Sequence, residues 1–198
     1  MRALLKFSNA VDWLNAQIGK YVIWLILAST MISAVNAVIR KVFNMSSNAF
    51  LEVQWYFFAA SFLLAAGYTL LQGEHVKIDV VSSKLSKRGQ IWIDIVGFTI
   101  FLTPVCLTIL YYGIPFFLQG YRSNEMSGNA GGLIRWPVYA MIPIGFTLLM
   151  MQGWSELIKR VAFLKGLIED PTAKKVEKTA EEELAEAIRR LAESKIAG

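Results

Sequence analysis

The segment Gly73–Asp79, with the sequence GEHVKID, holds the residues of this chain that are best suited to chemistry. The only histidine, His75, lies there between Glu74 and Asp79, and His75 and Asp79 are close enough to pair if the segment is helical. Imidazole and carboxylate groups that converge can bind a metal ion or transfer a proton. Whether they form a site or a polar turn depends on the elements that flank them.

Four long segments without a charged residue dominate the 198-residue sequence, which is 55% hydrophobic. They are Tyr21–Ile39, Val53–Gly73, Ile95–Tyr121 and Trp136–Ser155. Each has about the 20 residues that an α-helix needs to cross a hydrocarbon core of about 30 Å. A soluble chain of this length could not bury four such helices. The sequence therefore predicts an all-α integral membrane protein with spans at about 20–41, 52–73, 91–118 and 136–160, here called spans 1 to 4.

Two further helices are predicted, one on each side of the transmembrane domain (residues 20–165). Residues 1–19 predict an amphipathic helix that lies in the membrane interface and turns into span 1 near Gly19–Lys20. Its apolar side chains at helical spacing are Leu4, Phe7, Val11, Leu14 and Ile18. Packing of this helix on the membrane domain is a closely related alternative. Residues 166–198 predict a cytoplasmic tail with a short helix at about 179–196, because Thr179 and Glu182 are placed as a capping box.

The distribution of basic residues predicts the orientation. Of the 20 Lys and Arg residues, 16 lie at or before the start of span 1, between spans 2 and 3, or at and after the end of span 4, where Lys159 and Arg160 are the first two. The other four are Arg40, Lys41, Arg122 and Arg135. Cytoplasmic loops of membrane proteins carry the excess of Lys and Arg. Both termini and the GEHVKID segment are therefore predicted to be cytoplasmic, and the net charge of +5 reflects topology rather than a nucleic-acid partner.

The inventory of residues excludes several kinds of site. One histidine and one cysteine, Cys106, cannot build a zinc site or a His-dependent nucleophile triad, and no GxxxxGK[ST] loop is present to hold a nucleotide. Cys106 lies within span 3 and is interpreted as a packing residue. No cofactor and no catalytic, metal or substrate ligand is expected. The segment with His75 and Asp79 is interpreted as a structured cytoplasmic loop, with a weak metal site as the minor alternative.

Small and polar residues of span 1 are candidates for contacts between helices. Ser29, Ser33 and Ala37 follow one another at four-residue intervals. Such residues let a second helix approach closely, because packing drives association in lipid. Asn36 can donate a hydrogen bond across the same contact.

Glu52, at the start of span 2, is predicted to lie in the interface or to pair with Arg40. Its burial along a cation pathway is the alternative. Pro104 is expected to kink span 3, because proline removes a backbone donor. The loop before span 4, SNEMSGNAGG, is expected to be irregular and mobile.

Several short motifs, in this order, resemble a known family. They are Glu52, GEHVKID after span 2, Asp94 at the start of span 3, AGGLIRW with Arg135 before span 4, and MQGWSELIK at its end. Over roughly residues 10–165 the chain resembles the small membrane subunit, of the DctQ type, of tripartite ATP-independent periplasmic (TRAP) transporters. The last two motifs are similar to the branch associated with mannitol, chloroaromatic and 2-oxoacid compounds. Lys41 departs from the pattern, since many relatives have tyrosine after the arginine that corresponds to Arg40.

The resemblance implies a division of labour in a bacterial inner membrane. A periplasmic binding protein captures a small organic acid, and a large membrane subunit moves it by an elevator motion coupled to sodium. The small subunit binds neither substrate nor sodium. It enlarges the scaffold of the large subunit and offers part of the docking surface for the binding protein. Its partners are these two proteins and the membrane lipids.

Two alternatives come from other classes of protein. An independent small carrier or channel would line its path with Glu52 and Asn36. A membrane-embedded enzyme would need a cluster of polar side chains at one depth, which the sequence does not predict.

Overall fold

The computed structural model describes residues 1–45, 47–73 and 85–170. The predicted loop with His75 and Asp79 and the predicted tail helix lie outside these residues. Within them, the elements are α1 (Arg2–Phe43), α2 (Asn48–Gln72), α3 (Lys87–Val96), a π-helical segment (Gly97–Leu102), α4 (Thr103–Arg122) and α5 (Trp136–Leu164).

Four helices in the described ranges are long and apolar enough to cross a membrane: α1, α2, the continuous helix Lys87–Arg122 and α5. The predicted all-α fold with four transmembrane helices is therefore confirmed. The start of α1 lies beside the end of α5, and we call this the Asp12 end of the bundle. The opposite end, where α2 begins, is called the Glu52 end.

Helix α1 is continuous over 42 residues, so the predicted turn near Gly19–Lys20 is wrong. It ends at Asn44, which adopts a left-handed conformation with a φ of 51° that asparagine tolerates well. The N-terminal half of α1 runs along α5, where the hydroxyl oxygens of Ser8 and Ser155 are 2.6 Å apart. The N-terminal segment thus contacts α5 along this half of the helix.

The N-terminal half of α1 buries a mixed face. Ser8 and Asn15 are fully buried, and Val11 of the apolar stripe, between them in sequence, is 2% exposed, whereas Leu4 and Phe7 of the stripe are 49% and 41% exposed. Polar side chains of membrane proteins lie between helices, where they find partners. The buried face of α1 therefore combines polar and apolar residues.

Contacts between helices show which residues lie at the same level of the bundle. The Ser29 hydroxyl donates to the Gln54 carbonyl oxygen over 3.1 Å, which brings α1 and α2 to one level near the Glu52 end. Toward the Asp12 end, Gly67 of α2 lies against Asn15 of α1. A methyl group on Gly67 would also come within 3.3 Å of the Leu148 carbonyl oxygen of α5. Three helices therefore meet at the level of Gly67.

Span 3 contains the π-helical segment directly before Pro104. Proline has no backbone N–H and clashes with the carbonyl group four residues earlier, so the helix widens there. The Thr103 hydroxyl donates to the Phe98 carbonyl oxygen, five residues earlier, over 2.7 Å. Five residues is also the spacing of backbone hydrogen bonds in a π-helix. The kink predicted at Pro104 stays a prediction, and the observed irregularity is the π-helical segment before it. Cys106, one turn later, is fully buried, as predicted for a packing residue.

Gly145→Ala should destabilise the bundle, because the added methyl group would come within 2.6 Å of the Leu63 backbone carbonyl oxygen. Overpacking of this kind costs about 1–3 kcal/mol. Gly97→Ala is the matched control, since an added methyl group there meets nothing within 4 Å. Thermal unfolding in detergent measures both variants. Equal melting temperatures would contradict the close contact between α2 and α5.

Candidate functional site

One face of the first turns of α2 holds the loop that precedes α5. Asn48, Glu52 and Tyr56 are spaced by four residues and therefore share a helix face. Asn48 Nδ2 donates to the Ala130 carbonyl oxygen over 2.9 Å, and the Tyr56 hydroxyl donates to the Ile134 carbonyl oxygen over 3.2 Å. We call these three side chains and the loop that they hold the loop clamp.

Glu52 is the centre of the loop clamp. Its side chain is buried, at 8% exposure. One carboxylate oxygen accepts hydrogen bonds from the Ser127 hydroxyl and from Asn129 Nδ2, the latter over 2.8 Å. The other oxygen accepts from the Leu133 amide over 2.7 Å. Hydrogen bonds to a charged acceptor are roughly twice as strong as neutral ones, so the carboxylate fixes the loop at three points.

The loop itself is a hydrogen-bonded turn, although its composition predicts an irregular, mobile segment. A β-bridge joins Met126 to Ile134. The Arg135 amide donates to the Glu125 carbonyl oxygen over 2.9 Å and closes the base of the turn. Gly131 has a φ of 70°, a conformation that is strained for most other residues. Glycine therefore serves the geometry of the turn.

Arg135 belongs to this turn and pairs with Glu125. Its Nη1 lies 3.2 Å from Glu125 Oε1, and the Tyr139 hydroxyl donates to the same oxygen over 2.9 Å. The hydrogen bond with Tyr139 and the interaction with Glu125 raise the pKa of Arg135. This candidate residue thus stays positively charged and supports the loop from the α5 side.

The predicted pairing of Glu52 with Arg40 is wrong. In the described part of the chain no ion pair joins the two side chains, and Arg40 is exposed near the end of α1. The physical reason is that loop donors already occupy both oxygens of the Glu52 carboxylate. Sequence proximity favoured Arg40, whereas the actual partners are 75–81 residues away.

The stripe of small residues in α1 contacts α2 at one of its ends. Ser29 is buried and donates to the Gln54 carbonyl oxygen, Ser33 is half-buried and Ala37 is exposed. Ser29 is thus the residue of the stripe that meets α2, and a packing role for the whole stripe stays a prediction. Asn36 is buried, and its Oδ1 has no hydrogen-bond partner among the described residues. Its donation across a helix contact stays a prediction.

A second polar cluster lies at the Asp12 end, between α1 and α5. Lys159 Nζ lies 2.6 Å from both Asp12 Oδ2 and Glu156 Oε1. Glu156 Oε2 pairs with Arg160 Nη1 over 2.5 Å, and Gln152 Nε2 donates to Asp12 Oδ1 over 2.9 Å. We call this group the polar network. Its members are Ser8, Asp12, Asn15, Gln152, Ser155, Glu156, Lys159 and Arg160.

Asp94 connects the polar network to span 3. Arg160 Nε donates to Asp94 Oδ2 over 2.8 Å, and the Arg160 guanidinium stands 4.7 Å from the centre of the Phe98 ring. Arg160 is itself buried, so both contacts are shielded from solvent. Asp94, singled out as a motif residue, therefore joins α3 to α5.

The polar network corrects the expectation that no cluster of polar side chains lies at one depth. A signal for it exists in the sequence: Ser8, Asp12 and Asn15 recur at spacings of three and four residues, as do polar residues between Gln152 and Arg160. Each set therefore occupies one helix face. Periodicity alone assigns the α1 set to the water-facing side of an interfacial helix. Only the contact with α5 brings the two sets together.

Both clusters hold elements of the chain together. The carboxylates of Glu52, Asp12 and Glu156 each accept hydrogen bonds from several donors. Among the residues that the structure describes, no group of three or more His, Cys, Asp or Glu side chains could hold a metal ion. The loop clamp attaches the loop to α2 at one end of the bundle. The polar network and Asp94 join three spans at the other end.

A family model for the DctQ component of tripartite ATP-independent periplasmic transporters matches residues 29–163. The match runs from the middle of α1 to the end of α5 and covers more than half of the chain.

The chain belongs to the DctQ family.

It is thus a component of a TRAP transporter and a multi-pass membrane protein, and its family is not a class of enzyme. The loop clamp and the α5 half of the polar network lie within the region matched by the DctQ model, whereas Ser8, Asp12 and Asn15 precede it. The same comparisons gave no significant match to a curated protein or to a solved structure.

In this DctQ-family chain, Glu52→Gln should loosen the loop, because a neutral amide accepts hydrogen bonds more weakly and presents donors to Ser127 or Leu133. We expect the Leu133 amide to exchange with deuterium about tenfold faster or more. Arg40→Gln is the matched control, since Arg40 lies outside the loop clamp. Unchanged protection of Leu133 in Glu52→Gln would show that the carboxylate does not hold the loop.

Lys159→Met should destabilise the DctQ-family chain, because Asp12 and Glu156 then lose the cation between them. The Lys159 and Asp12 side chains are partly buried, at 16% and 23% exposure, so we expect a loss below the ~3–5 kcal/mol that removing one partner of a fully buried pair costs. The double variant Asp12→Asn/Lys159→Met should recover part of the loss, since fewer charges remain unpaired. Chemical unfolding in detergent of the wild type, both single variants and the double variant completes the cycle. Strictly additive effects would contradict the coupling.

Proposed function

We propose that this chain is the small membrane subunit of a sodium-coupled TRAP transporter that takes up a small organic acid across a bacterial inner membrane. It serves as a scaffold for the large, moving subunit and supplies part of the docking surface for the periplasmic binding protein. Family membership supports the transporter assignment. The single observation that carries the scaffold role is that the carboxylates of both clusters, those of Glu52, Asp12 and Glu156, are bound by donors of the same chain. In the polar network the buried Oδ1 of Asn15 alone has no hydrogen-bond partner among the described residues.

The internal pairing favours a static subunit over one that handles ions or substrate. Glu52 uses both carboxylate oxygens on the loop. Asp12 and Glu156 are bound by Lys159, and Arg160 is divided between Glu156 and Asp94. A transport site needs polar groups that are free to replace the hydration shell of an ion. A scaffold needs these groups committed to its own helices, which is the arrangement described here.

The loop clamp supports a docking role at the Glu52 end. It holds an exposed loop in one conformation, with Met126 and Asn129 on its surface. A surface that is ordered before binding loses less conformational entropy when a partner arrives. We place this end in the periplasm and both termini in the cytoplasm. The segments on the side of the two termini carry 16 of the 20 Lys and Arg residues, and cytoplasmic segments carry the excess of these residues.

The alternative, an independent carrier or channel lined by Glu52 and Asn36, is not favoured by the geometry. Glu52 is enclosed by the loop instead of facing an open path. The compound that is transported stays a prediction at the level of a small organic acid. The large subunit and the binding protein hold it in this proposal.

Uptake assays with the three reconstituted components test the proposal. Omitting the chain should abolish uptake, because the large subunit loses its support. Asn36→Ala, Gln54→Ala and Thr103→Ala should leave the apparent affinities for sodium and substrate within a few-fold of wild type. Loss of a true ligand costs more than about 1 kcal/mol, and 1.4 kcal/mol is already tenfold. A tenfold shift from one of these variants in an intact complex would restore the pathway alternative.

A further inference from the structure

We propose that one face of span 3, here called the open face, packs against a transmembrane helix of the large subunit, and that Arg122 pairs there with a carboxylate of that subunit. The residues of the open face are all exposed and follow one another at spacings of three or four: Pro104, Thr108, Tyr111, Pro115, Gln119 and Arg122. The inference rests on the proposed function and adds to it a surface and the chemistry of its partner.

Span 3 lies at the edge of the bundle. Within the described residues it packs on α5 and has almost no contact with α1 or α2. Its buried residues Cys106 and Gly113 mark the side toward α5, since a methyl group on Gly113 would meet Ile142. Cys106 follows Pro104 by two residues, which is a rotation of about 200° around the helix axis. The open face therefore points away from α5.

A proline interrupts the backbone hydrogen bonds of the open face. Pro115 has no N–H group, so the Tyr111 carbonyl oxygen, four residues earlier, lacks its usual helical donor. A carbonyl group without a donor is costly in hydrocarbon, and neighbouring helices are one source of a replacement. Helix α5 lies on the opposite side of span 3. A donor from a helix of another protein would satisfy this oxygen.

Polar side chains of the open face also lack partners. Thr108 and Gln119 make no side-chain hydrogen bond within the described part of the chain. Other exposed threonines bond to their own helix: Thr30 and Thr147 each donate to the carbonyl oxygen four residues earlier, over 2.9 and 2.6 Å. The open face thus carries hydrogen-bonding groups that the chain leaves unused.

The exposed faces of α1 and α2 suit lipid better. In their uncharged segments these helices present large aromatic and aliphatic side chains, among them Trp24, Leu27, Val35, Phe58 and Phe62. Lipid tails are as apolar as such side chains, so these faces need no protein partner. The contrast favours span 3 as the helix that meets the large subunit.

The depth of Thr108 limits the kind of partner. Thr108 is 13 residues, about 19.5 Å, from each end of the uncharged segment Ile95–Tyr121. The contact with α5 also places it inside the membrane. Gly113 lies against Ile142, about 9 Å from the start of α5, and Thr108 is about 7.5 Å deeper. A soluble binding protein does not enter the hydrocarbon, whereas a transmembrane helix does.

The surface around the open face is hollowed. One depression of about 510 Å³ has Gln119 and Arg122 in its lining, and another of about 390 Å³ lies between span 3 and Ile142 of α5. Helices pack by inserting the side chains of one into the grooves of the other. A helix seated here would reach span 3 and the edge of α5 together.

Arg122 indicates the charge of the partner. It is exposed and takes part in no ion pair among the described residues. The acids near this end are occupied, because Glu52 holds the loop and Glu125 pairs with Arg135. A second copy of the chain would bring another Arg122 and the same occupied acids. An Asp or Glu of the large subunit, the membrane partner in the proposed function, would complement Arg122.

Photocrosslinking in the reconstituted complex tests the position of the contact. Tyr111→benzoylphenylalanine places a photoreactive group on the open face. Phe62→benzoylphenylalanine, on α2, is the matched control, because both native side chains are aromatic and 73% exposed. The variant at Tyr111 should give about tenfold more adduct with the large subunit, since only this position touches it. Equal or greater yield at Phe62, or an adduct of Tyr111 only with lipid or with a second copy of the chain, would overturn the inference.

Co-purification of the large subunit with the tagged full-length chain tests the charge pair. Arg122→Glu should retain about tenfold less large subunit than wild type, because like charges in contact oppose assembly, and Arg122→Lys should retain most of it. Lys41→Glu is the matched control, since Lys41 is an exposed cation near the end of α1. It should retain the large subunit as well as wild type does.

Unfolding of the chain alone separates a lost contact from a misfolded variant. Arg122→Glu, expressed without the large subunit, should unfold at the wild-type temperature, because Arg122 is exposed and forms no ion pair in the described chain. Wild-type retention of the large subunit by this variant would overturn the charge pair. If the wild-type chain itself retains no large subunit, the proposed function fails instead.

Discussion

The ion pair between Asp12 and Lys159 determines where the first twenty residues of this chain lie. Hydrocarbon offers no water to a charged or polar group, so such groups must find partners within the protein. Lys159 provides one to Asp12, and the N-terminal half of α1 is thereby aligned along α5. Arg160, one residue further, extends the same arrangement to Asp94 in α3. Three of the four spans are thus joined at one end by adjacent cations.

Charged side chains are compensated in different ways at the two ends of the bundle. At the Glu52 end one carboxylate is surrounded by neutral donors from a loop, so a single negative charge orders a turn without a counter-ion. At the Asp12 end acids and bases alternate, and neighbouring charges compensate one another. Between them the helices approach through glycines such as Gly67 and Gly145. Both ends are thus held by charged or hydrogen-bonded groups, and close approaches of helix backbones at glycines add to them.

The sequence predicts the spans well because the length of an apolar run is a local property. Span 2, predicted at about 52–73, is observed as Asn48–Gln72, and span 4, predicted at about 136–160, as Trp136–Leu164. The partners of polar residues are not local. The sequence favours either an interfacial position for Glu52 or a pair with Arg40, which lies 12 residues earlier, whereas its donors come from a loop after span 3. Side-chain periodicity shows that a face is polar, but only packing decides whether water or another helix meets it.

The loop clamp also imposes an order of events during synthesis. Ser127, Asn129 and Leu133 follow Glu52 by 75, 77 and 81 residues. At a ribosomal rate of 5–20 residues per second, the Glu52 carboxylate exists for about 4–16 s before its donors are made. Throughout that interval the carboxylate lacks its loop donors and depends on others, such as water. The contact that fixes the loop to α2 is therefore formed only after span 3 and the loop have been synthesised.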